Sequence, residues 1–476
     1  MSLPTATSEQ TPRQLSPPWV AVVVAFAFLL EQIDATIVTT AIPAMAQSLQ
    51  VGVVQMSLAV SAYVLTLAVF IPLSGWFADR FGARRVFIAA LGLFTVASAL
   101  CGMAESFPLL VAMRVLQGLG GAMMTPVGRL ILLRSFARAQ LVRATTYATL
   151  PAIIGPLVGP LLGGYLATAL SWRWIFFVNL PLGLIGIGLA VRWLQTEPAA
   201  TPPAFDLLGF VLFGMAVGLL QFSLEVASRW PAAALVPMVA GAAALLLLFV
   251  GHSKRRADPA VDLTLLRERG FGIATLAGGL CRIAMNGPVY LLPLMLQLGL
   301  GMSPVQSGAL TLLSAAASPL VRVGVGWALR WLGFRLLLLG SAVACSVSLA
   351  SFASIGRHTA MAGIAAAIVV YGLVRSIQFM TSNTLAYADV PAPRLSRATS
   401  LGGLLQQLTV SLGVSLAATW LGLLAPQSLK PSLLTFHTAF LLLAVLPLLA
   451  LPAFARLRPH DGAAVSGHAA PRAGGR

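Results

Sequence analysis

The chain has 476 residues, of which 58% are hydrophobic and only 9% are charged, and its net charge is +17. The surface of a soluble domain needs far more charge to stay solvated, so this composition excludes an ordinary soluble protein. A mean hydropathy of +0.91 instead predicts an integral membrane protein.

A bilayer core is about 30 Å thick, so a spanning helix needs roughly 20 mostly apolar residues. The alternating ten-residue segments of a porin-type barrel are absent from the sequence, which predicts an all-α fold. Fourteen spans meet the helical criterion. They cover 19–45, 54–78, 86–104, 108–133, 145–168, 174–194, 206–226, 231–251, 270–297, 304–329, 334–355, 359–387, 400–425 and 433–456.

The spans predict two six-helix bundles, separated by an inserted helix pair with a basic loop and flanked by two polar tails. In chain order these segments are the N-terminal tail 1–18, the first bundle 19–194, the insertion 195–269, the second bundle 270–456 and the C-terminal tail 457–476. The N-terminal tail is Pro-rich and is expected to be disordered, ahead of an uncleaved first helix.

The distribution of Lys and Arg predicts the topology. Most of them lie in segments on one side of the membrane, whereas Arg173, Arg229, Arg357 and Lys430 lie on the other. The positive-inside rule then places both termini in the cytoplasm of a multi-pass protein of the cell (inner) membrane. The cluster Lys254-Arg255-Arg256 is expected to contact anionic lipid, and no nucleic-acid partner is predicted.

Two carboxylates lie in the middle of the first span, in the stretch EQIDATIVTT. A charge at the membrane centre costs about 2.5–3.5 kcal/mol, so such residues should face a wet cavity or each other. Glu31 and Asp34 are three residues apart and share a helix face, and repulsion between two acids there favours binding of a proton by the coupled pair. We predict a proton site at Glu31 and Asp34 with Arg114 as counter-ion. The alternative is a static ion pair that holds helices one and four together.

A loop motif occurs twice in the chain. The loop after the second predicted span reads GWFADRFGARR from Gly75, and the loop after the tenth reads GWALRWLGFR from Gly326. Two similar halves around a central pathway are typical of transporters. The register leaves the spans at 206–251 as the inserted pair. The copies differ in charge, because Asp79 in the first corresponds to Arg330 in the second.

Several motifs together resemble the major facilitator superfamily. GWFADRFGARR resembles its cytoplasmic loop signature, RVLQGLGGA from Arg114 its fourth-helix motif, and GPLVGPLLGG from Gly155 the fifth-helix motif of exporters. DATIVTTAIP from Asp34 and WRWIFFVNLPLG from Trp172 resemble the fourteen-span drug:proton antiporters of the EmrB/QacA type. The resemblance runs over nearly the whole chain and implies alternating access driven by a proton gradient.

The resemblance also implies a conformational gate. Asp79 would latch its loop to the other half in one state, and Arg330 would prevent the second loop from doing the same. Glycines at every fourth position of the fifth span predict a close-packed face, and its prolines loosen the helix. This face is either a packing seam or a flexible gate. The candidate gate residues are Gly75, Asp79, Arg80, Gly82, Arg84, Gly155, Pro156, Gly159, Pro160 and Gly163.

Polar residues form stripes on two apolar helices of the second half. One stripe consists of Arg282, Asn286 and Tyr290, and the other of Tyr371, Arg375, Gln378 and Ser382, with Asn383 adjacent. Together with Arg322, these residues predict the lining of a substrate cavity, although a network that only packs helices is the alternative.

We therefore expect a proton-coupled exporter of small amphiphilic or drug-like molecules, working without ATP or any other cofactor. Neither of the two lysines lies in a Gly-rich nucleotide cradle, and no metal cluster or nucleophile turn points to an enzyme. The three arginines of the second half favour an alternative, an exporter of small organic anions or zwitterions. The sequence does not say whether an accessory export partner is needed.

Overall fold

The protein is all-helical over the residues that the computed structural model describes. These are 19–136, 138–196, 204–256, 259, 261–391, 394–425, 431–458 and 461–462. The predicted N-terminal tail, most of the C-terminal tail and Lys430 lie outside these residues.

The helices form two bundles with an inserted pair between them. The first bundle contains α1 Trp19–Ser48, α2 Val53–Phe81, α3 Ala83–Gly102, α4 Phe107–Ser135, α5 Arg138–Ala169, α6 Trp174–Phe177 and α7 Asn179–Trp193. The inserted pair is α8 Leu207–Val226 and α9 Ala232–Arg255, followed by a 3-10 turn at Leu263–Arg267. The second bundle contains α10 Arg269–Leu294 with a π-helical turn at Met295–Gly299, α11 Pro304–Ser351 with a 3-10 turn at Phe352–Ser354, α12 Met361–Ala388, α13 Leu395–Leu424, α14 Leu433–Leu449 and α15 Leu451–Ala455.

Twelve helices of the described residues are long and apolar enough to cross a membrane. The all-helical membrane class is thus confirmed, whereas the count of fourteen is not. The two further predicted spans, 145–168 and 304–329, fall in α5 and in the first part of α11. Part of the side chains of both segments lies outside the described residues.

The repeated loop has the same backbone turn in both halves. Gly82, the second glycine of the first copy, has φ +88°, and the matching Gly333 has φ +67°. Both angles lie in the left-handed region, which a residue with a Cβ adopts only with strain. The backbone is not helical at Gly333, so α11 consists of two helices joined at a kink, and these correspond to the tenth and eleventh predicted spans. The loop repeat found in the sequence is therefore also a repeat of backbone geometry.

The halves meet mainly through α1, α2 and α5 of the first half. α1 contacts α10 and α11, α2 packs along α13, and α5 packs along α11. The inserted helix α8 lies on this boundary, because it contacts both α2 and α13 as well as α9. A change in the relative position of the halves must therefore alter the contacts of α8.

The two halves are joined most closely at the end of the bundle where α1 finishes, here called the closed end. Gln297 donates to the carbonyl of Thr40 at 3.0 Å, and Tyr290 donates to the carbonyl of Val53 at 2.5 Å. One hydrophobic core at this end contains residues of both halves, from Ile42 and Met56 to Leu296. At the opposite end the buried residues form two clusters, one in the first half and one mainly in the second half, which Ala68 of α2 joins. Apolar packing between the two halves is therefore concentrated at the closed end.

Candidate functional site

The centre of the first half is a buried ion pair. Asp34 of α1 and Arg114 of α4 are 0% and 1% exposed, and an oxygen of the carboxylate lies 2.7 Å from Nη1 of the guanidinium. Nε of Arg114 donates to the carbonyl of Ala59 in α2 at 3.0 Å. The guanidinium also lies over the ring of Tyr63, 4.2 Å from its centroid. Arg114 thus contacts both α1 and α2, and the structure brings the predicted counter-ion to Asp34.

The second oxygen of Asp34 is held by amides that sequence reasoning missed. Gln117 donates to it at 2.8 Å and Asn179 of α7 at 2.9 Å. Asn179 also donates to Ser98 of α3 at 3.0 Å. A carboxylate with one cation and two amide donors is well satisfied despite its burial. Asp34 therefore ties α1 to α4 and α7. In the sequence, the only sign of this network was that Gln117 and Asn179 are polar residues in otherwise apolar spans.

Glu31 has different surroundings from Asp34. It is 6% exposed and accepts a hydrogen bond from Thr125 of α4. Arg129, one turn further along α4, places its guanidinium 6.0 Å from the ring centroid of Phe28 on α1. Among the described residues no salt bridge reaches Glu31. Glu31 therefore lacks, within the described chain, the direct salt bridge that Asp34 has.

A cavity of about 300 Å³ lies against the second half. Arg282 and Asn286 of α10, and Arg375 and Gln378 of α12, belong to its lining, as does Pro156 of α5 from the first half. No carboxylate is among the described lining residues, so the cavity is electropositive. Polar groups thus project from two facing helices into one space that is large enough for a small molecule.

The arginines of the cavity are only partly satisfied. Nη2 of Arg375 donates to Asn286 at a long 3.3 Å, and Asn286 donates to the carbonyl of Arg282 at 2.8 Å. Nε of Arg282 is buried and, within the described part of the chain, has no hydrogen-bond partner. The ring centroid of Phe379 lies 5.8 Å from this guanidinium. Unused donors of this kind favour a ligand with acceptor oxygens.

Other predicted cavity residues lie outside this lining. Tyr290 donates to Val53 at the closed end, and Tyr371 donates to the carbonyl of Met285 at 2.5 Å. Ser382 accepts from Gln378 at 3.3 Å, and Asn383 is half-buried beside it. These contacts connect helices or turns of one helix. The side chain of Arg322 lies outside the described residues.

The glycine repeat of α5 lies directly against α1. A Cβ at Gly155 would lie 2.5 Å from Cβ of Gln32, and Cβ atoms at Gly159 and Gly163 would collide with Thr36 and with the carbonyl of Ile37. Pro160 and Gly164 face α11 instead, where they meet Gly308 and Pro304. α5 is therefore a close-packed link between α1 and the second half, which supports the packing interpretation of this motif.

The predicted latch residue Asp79 forms an ion pair within its own half. Its carboxylate lies 2.7 Å from Nη2 of Arg134 at the end of α4. Arg84 donates to the carbonyl of Val191 at 2.7 Å and so holds the loop against α7. The polypeptide at Gly75 and Arg80 is exposed and belongs to the last turns of α2. A contact between Asp79 and the second half stays a prediction for another state.

A buried acid of the inserted pair was also missed by sequence reasoning. Glu225, in the last turn of α8, is 6% exposed and lies at the boundary of the halves near the closed end. Glu225 is the last residue but one of the predicted span 206–226, where an acid ordinarily reaches solvent. The sequence therefore showed an acid inside a span, whereas its burial follows from the position of α8 between the halves.

Known relatives match this architecture. The model of the Major Facilitator Superfamily matches residues 24–414. "Putative multidrug resistance protein MdtD" of Pectobacterium atrosepticum is 37% identical over 447 residues, covering 93% of this chain and 96% of the relative. The protein of the same name from Klebsiella pneumoniae is 36% identical over 455 residues, covering 93% and 95%.

Solved structures share the fold at low identity. A peptide transporter POT in complex with sulfate superposes with a TM-score of 0.66 at 14% identity, covering 92% of this chain and 96% of that one. A bacterial homologue of the human lysosomal transporter Spinster, solved in an inward-facing and unoccupied conformation, gives a TM-score of 0.62 at 16% identity, covering 92% and 95%. By its motifs, its family match and its relatives, the chain belongs to the major facilitator superfamily and is a membrane transporter, not an enzyme.

Proposed function

We propose that this transporter is a proton-coupled antiporter that exports small amphiphilic or drug-like molecules by alternating access. The observation that carries the proposal is the arrangement of the two acids in α1, one neutralised by Arg114 and one without a salt bridge in the described chain. A buried acid without a cation is most stable when it binds a proton. Intramembrane acids commonly mark proton paths, and the relatives are named as multidrug resistance proteins.

The path from the proton site to the substrate cavity runs through close helix contacts. α1 carries both acids and packs on the glycine face of α5, whose other face meets α11. Pro156 of α5 is itself part of the cavity wall. Protonation at Glu31 that moves α1 would therefore move α5 and the cavity boundary. Substrate and proton then favour different states of the carrier.

The closed end is proposed to face outward, with both termini in the cytoplasm. The basic residues of the sequence lie mainly at the opposite end, and Lys254, Arg255 and Arg256 end helix α9 there. The cavity would then be loaded from the cytoplasm, in the cell (inner) membrane. The energy source would be the proton gradient, and an accessory partner would be needed only to cross a second membrane.

A second candidate function is export of small organic anions or zwitterions. Arg282 and Arg375 line the cavity without a carboxylate among the described lining residues, and Nε of Arg282 is unused. A guanidinium binds a carboxylate or phosphate through two parallel hydrogen bonds. The two candidates therefore differ in the charge of the cargo and share the proton site.

Transport by purified protein in proteoliposomes with an imposed pH gradient tests both candidates. Lipophilic cations, neutral drugs and small organic anions would be compared for the wild type and the variant Glu31→Gln, which keeps the ion pair of Asp34 and Arg114. Flux that follows the gradient in the wild type and loses this dependence in the variant supports the proposed antiport. Wild-type gradient-driven flux in the variant would exclude Glu31 as the proton site, and gradient-driven flux of anions alone would establish the second candidate.

A further inference from the structure

The carboxyl group of Glu225 lies between three helices of different parts of the fold. Its helix α8 belongs to the inserted pair, and Ser57 of α2 is its hydrogen-bonding neighbour from the first half. Around it, Thr419 of α13 donates to the carbonyl of Leu224 at 2.7 Å, and Gln221 contacts Ser415 of the same helix. Glu225 is therefore enclosed by the contacts that join the halves beside the closed end.

The hydrogen bonds of Ser57 indicate which form of Glu225 the structure contains. Oγ of Ser57 lies 2.7 Å from the carbonyl oxygen of Val54 and also 2.7 Å from Oε1 of Glu225. A serine hydroxyl has one hydrogen to donate and lone pairs that accept. If the hydrogen goes to Val54, the contact with Glu225 needs a hydrogen from the carboxyl group. A protonated Glu225 satisfies both distances, whereas an ionised one leaves two acceptors sharing one hydrogen.

The burial of Glu225 also favours the neutral form. Oε2 is buried without a hydrogen-bond partner in the described chain, and no salt bridge reaches this side chain there. The ionisable groups near it are Tyr290 of α10, which donates to Val53, and Arg229, one turn beyond it in sequence. The facing residues of α13, Ser415 and Thr419, do not ionise. The positive charge of Arg229 acts against this preference but forms no salt bridge with Glu225 in the described chain. A buried carboxylate without a direct ion pair is unfavourable, and a bound proton removes its charge.

We propose that Glu225 is a second proton-binding site, protonated when this end is closed, so that closing of the seam between α2, α8 and α13 requires uptake of a proton. When the halves separate, water reaches the carboxyl group and the ionised form becomes stable. Acid on the side of the closed end then favours the sealed state. This site is separate from Glu31 and Asp34, and the inference does not depend on the proposed antiport.

The test is a distance measurement across the closed end by double electron–electron resonance. Spin labels would be placed at Gln47, in the last turn of α1, and at His358, ahead of α12, because both positions are exposed. The background would lack the buried Cys101, Cys281 and Cys345. One linked proton changes the ratio of open to closed molecules by up to about tenfold per pH unit. The wild type should therefore close as the pH falls, and absence of any pH response would overturn the proposal.

Three variants identify the titrating group. Glu225→Gln keeps the size of the side chain and mimics the neutral form, so it should stay closed at alkaline pH and lose the response. Glu225→Asp should retain a response, and Ser57→Ala should shift closing to lower pH because the partner of the protonated form is lost. A wild-type response in Glu225→Gln would overturn the proposal. The Glu31→Gln variant should keep the distance response although it loses gradient-driven transport, so the two proton sites can fail independently.

Discussion

Arg114 binds Asp34 and the backbone of Ala59 with the same guanidinium, through contacts of 2.7 and 3.0 Å. The ion pair therefore holds α1, α2 and α4 together, and it is removed from solvent on all sides. The static and functional interpretations of this pair are compatible. Asp34 is fixed by its partners, while Glu31, one turn away and without a salt bridge in the described chain, is the acid proposed to exchange a proton.

Loss of the Arg114 guanidinium should strongly destabilise the fold. Arg114→Ala leaves the buried carboxylate of Asp34 without its cation, which is expected to lower the free energy of unfolding by about 3–5 kcal/mol. Thermal unfolding in detergent measures this change. The matched variant Asp34→Asn/Arg114→Gln removes both charges and should recover most of the stability without transport. Equal stability of Arg114→Ala and the wild type would contradict the role of the pair.

Replacing Glu31 should affect coupling more than folding. Glu31→Gln keeps a group that can accept from Thr125, so we expect normal thermal unfolding but loss of the dependence of flux on the pH gradient. The control Thr125→Val removes the donor at nearly constant volume and should displace the pH profile of flux while preserving coupling. Gradient-dependent flux by Glu31→Gln at the wild-type level would assign proton binding elsewhere.

The charge of Arg375 should determine affinity for acidic cargo. Arg375→Met removes a charge-assisted hydrogen bond, which is worth about 1.5–3 kcal/mol, or roughly ten- to a hundredfold in affinity. Binding of an organic anion, measured by calorimetry in detergent, should weaken by this factor, whereas a neutral drug should be little affected. Arg375→Lys should recover only part of the loss because it lacks the planar fork. If both variants bind the anion as the wild type does, Arg375 does not contact the cargo and its role is structural.

A methyl group in the seam between α1 and α5 should be poorly tolerated. Gly159→Ala places a Cβ against Thr36 and is expected to cost about 1–3 kcal/mol of stability, with slower transport. Gly218→Ala is the control, because no atom lies within 4 Å of its added Cβ. Helix propensity alone makes that control neutral or slightly stabilising. Similar unfolding temperatures for the two variants would show that α5 is not tightly packed on α1.

The fold was predictable where each inference needed only local information. An apolar run of sufficient length specifies a span, and the spacing of Gly155, Gly159 and Gly163 specifies a close-packed face. The pairing of Asp34 with Arg114 was also predictable, because opposite charges in adjacent apolar helices have few other ways to be compensated. The loop repeat was visible in the sequence, and its second glycine, Gly82 or Gly333, has a positive φ in both copies.

The other contacts of the site could not be predicted, because they depend on how the helices pack against one another. Gln117, Asn179 and Ser98 come from three helices, and nothing in their local sequence states that they converge on one carboxylate. Tyr290 continues the helical stripe of Arg282, yet it lies two turns further along α10 and reaches the closed end. From the sequence, Glu225 is expected to reach solvent at the end of its span. It is buried because α8 packs against both α2 and α13.

The division of labour between the halves has a consequence for how such a carrier diversifies. The acids of α1 lie in the first half, whereas α10 and α12 of the second half supply the arginines of the cavity. Substitutions that adapt the carrier to a different cargo can therefore accumulate on two helices without altering the groups proposed to convert energy. On the proposed roles, exchange of the second half for that of another carrier would change the cargo while leaving the acids of α1 in place.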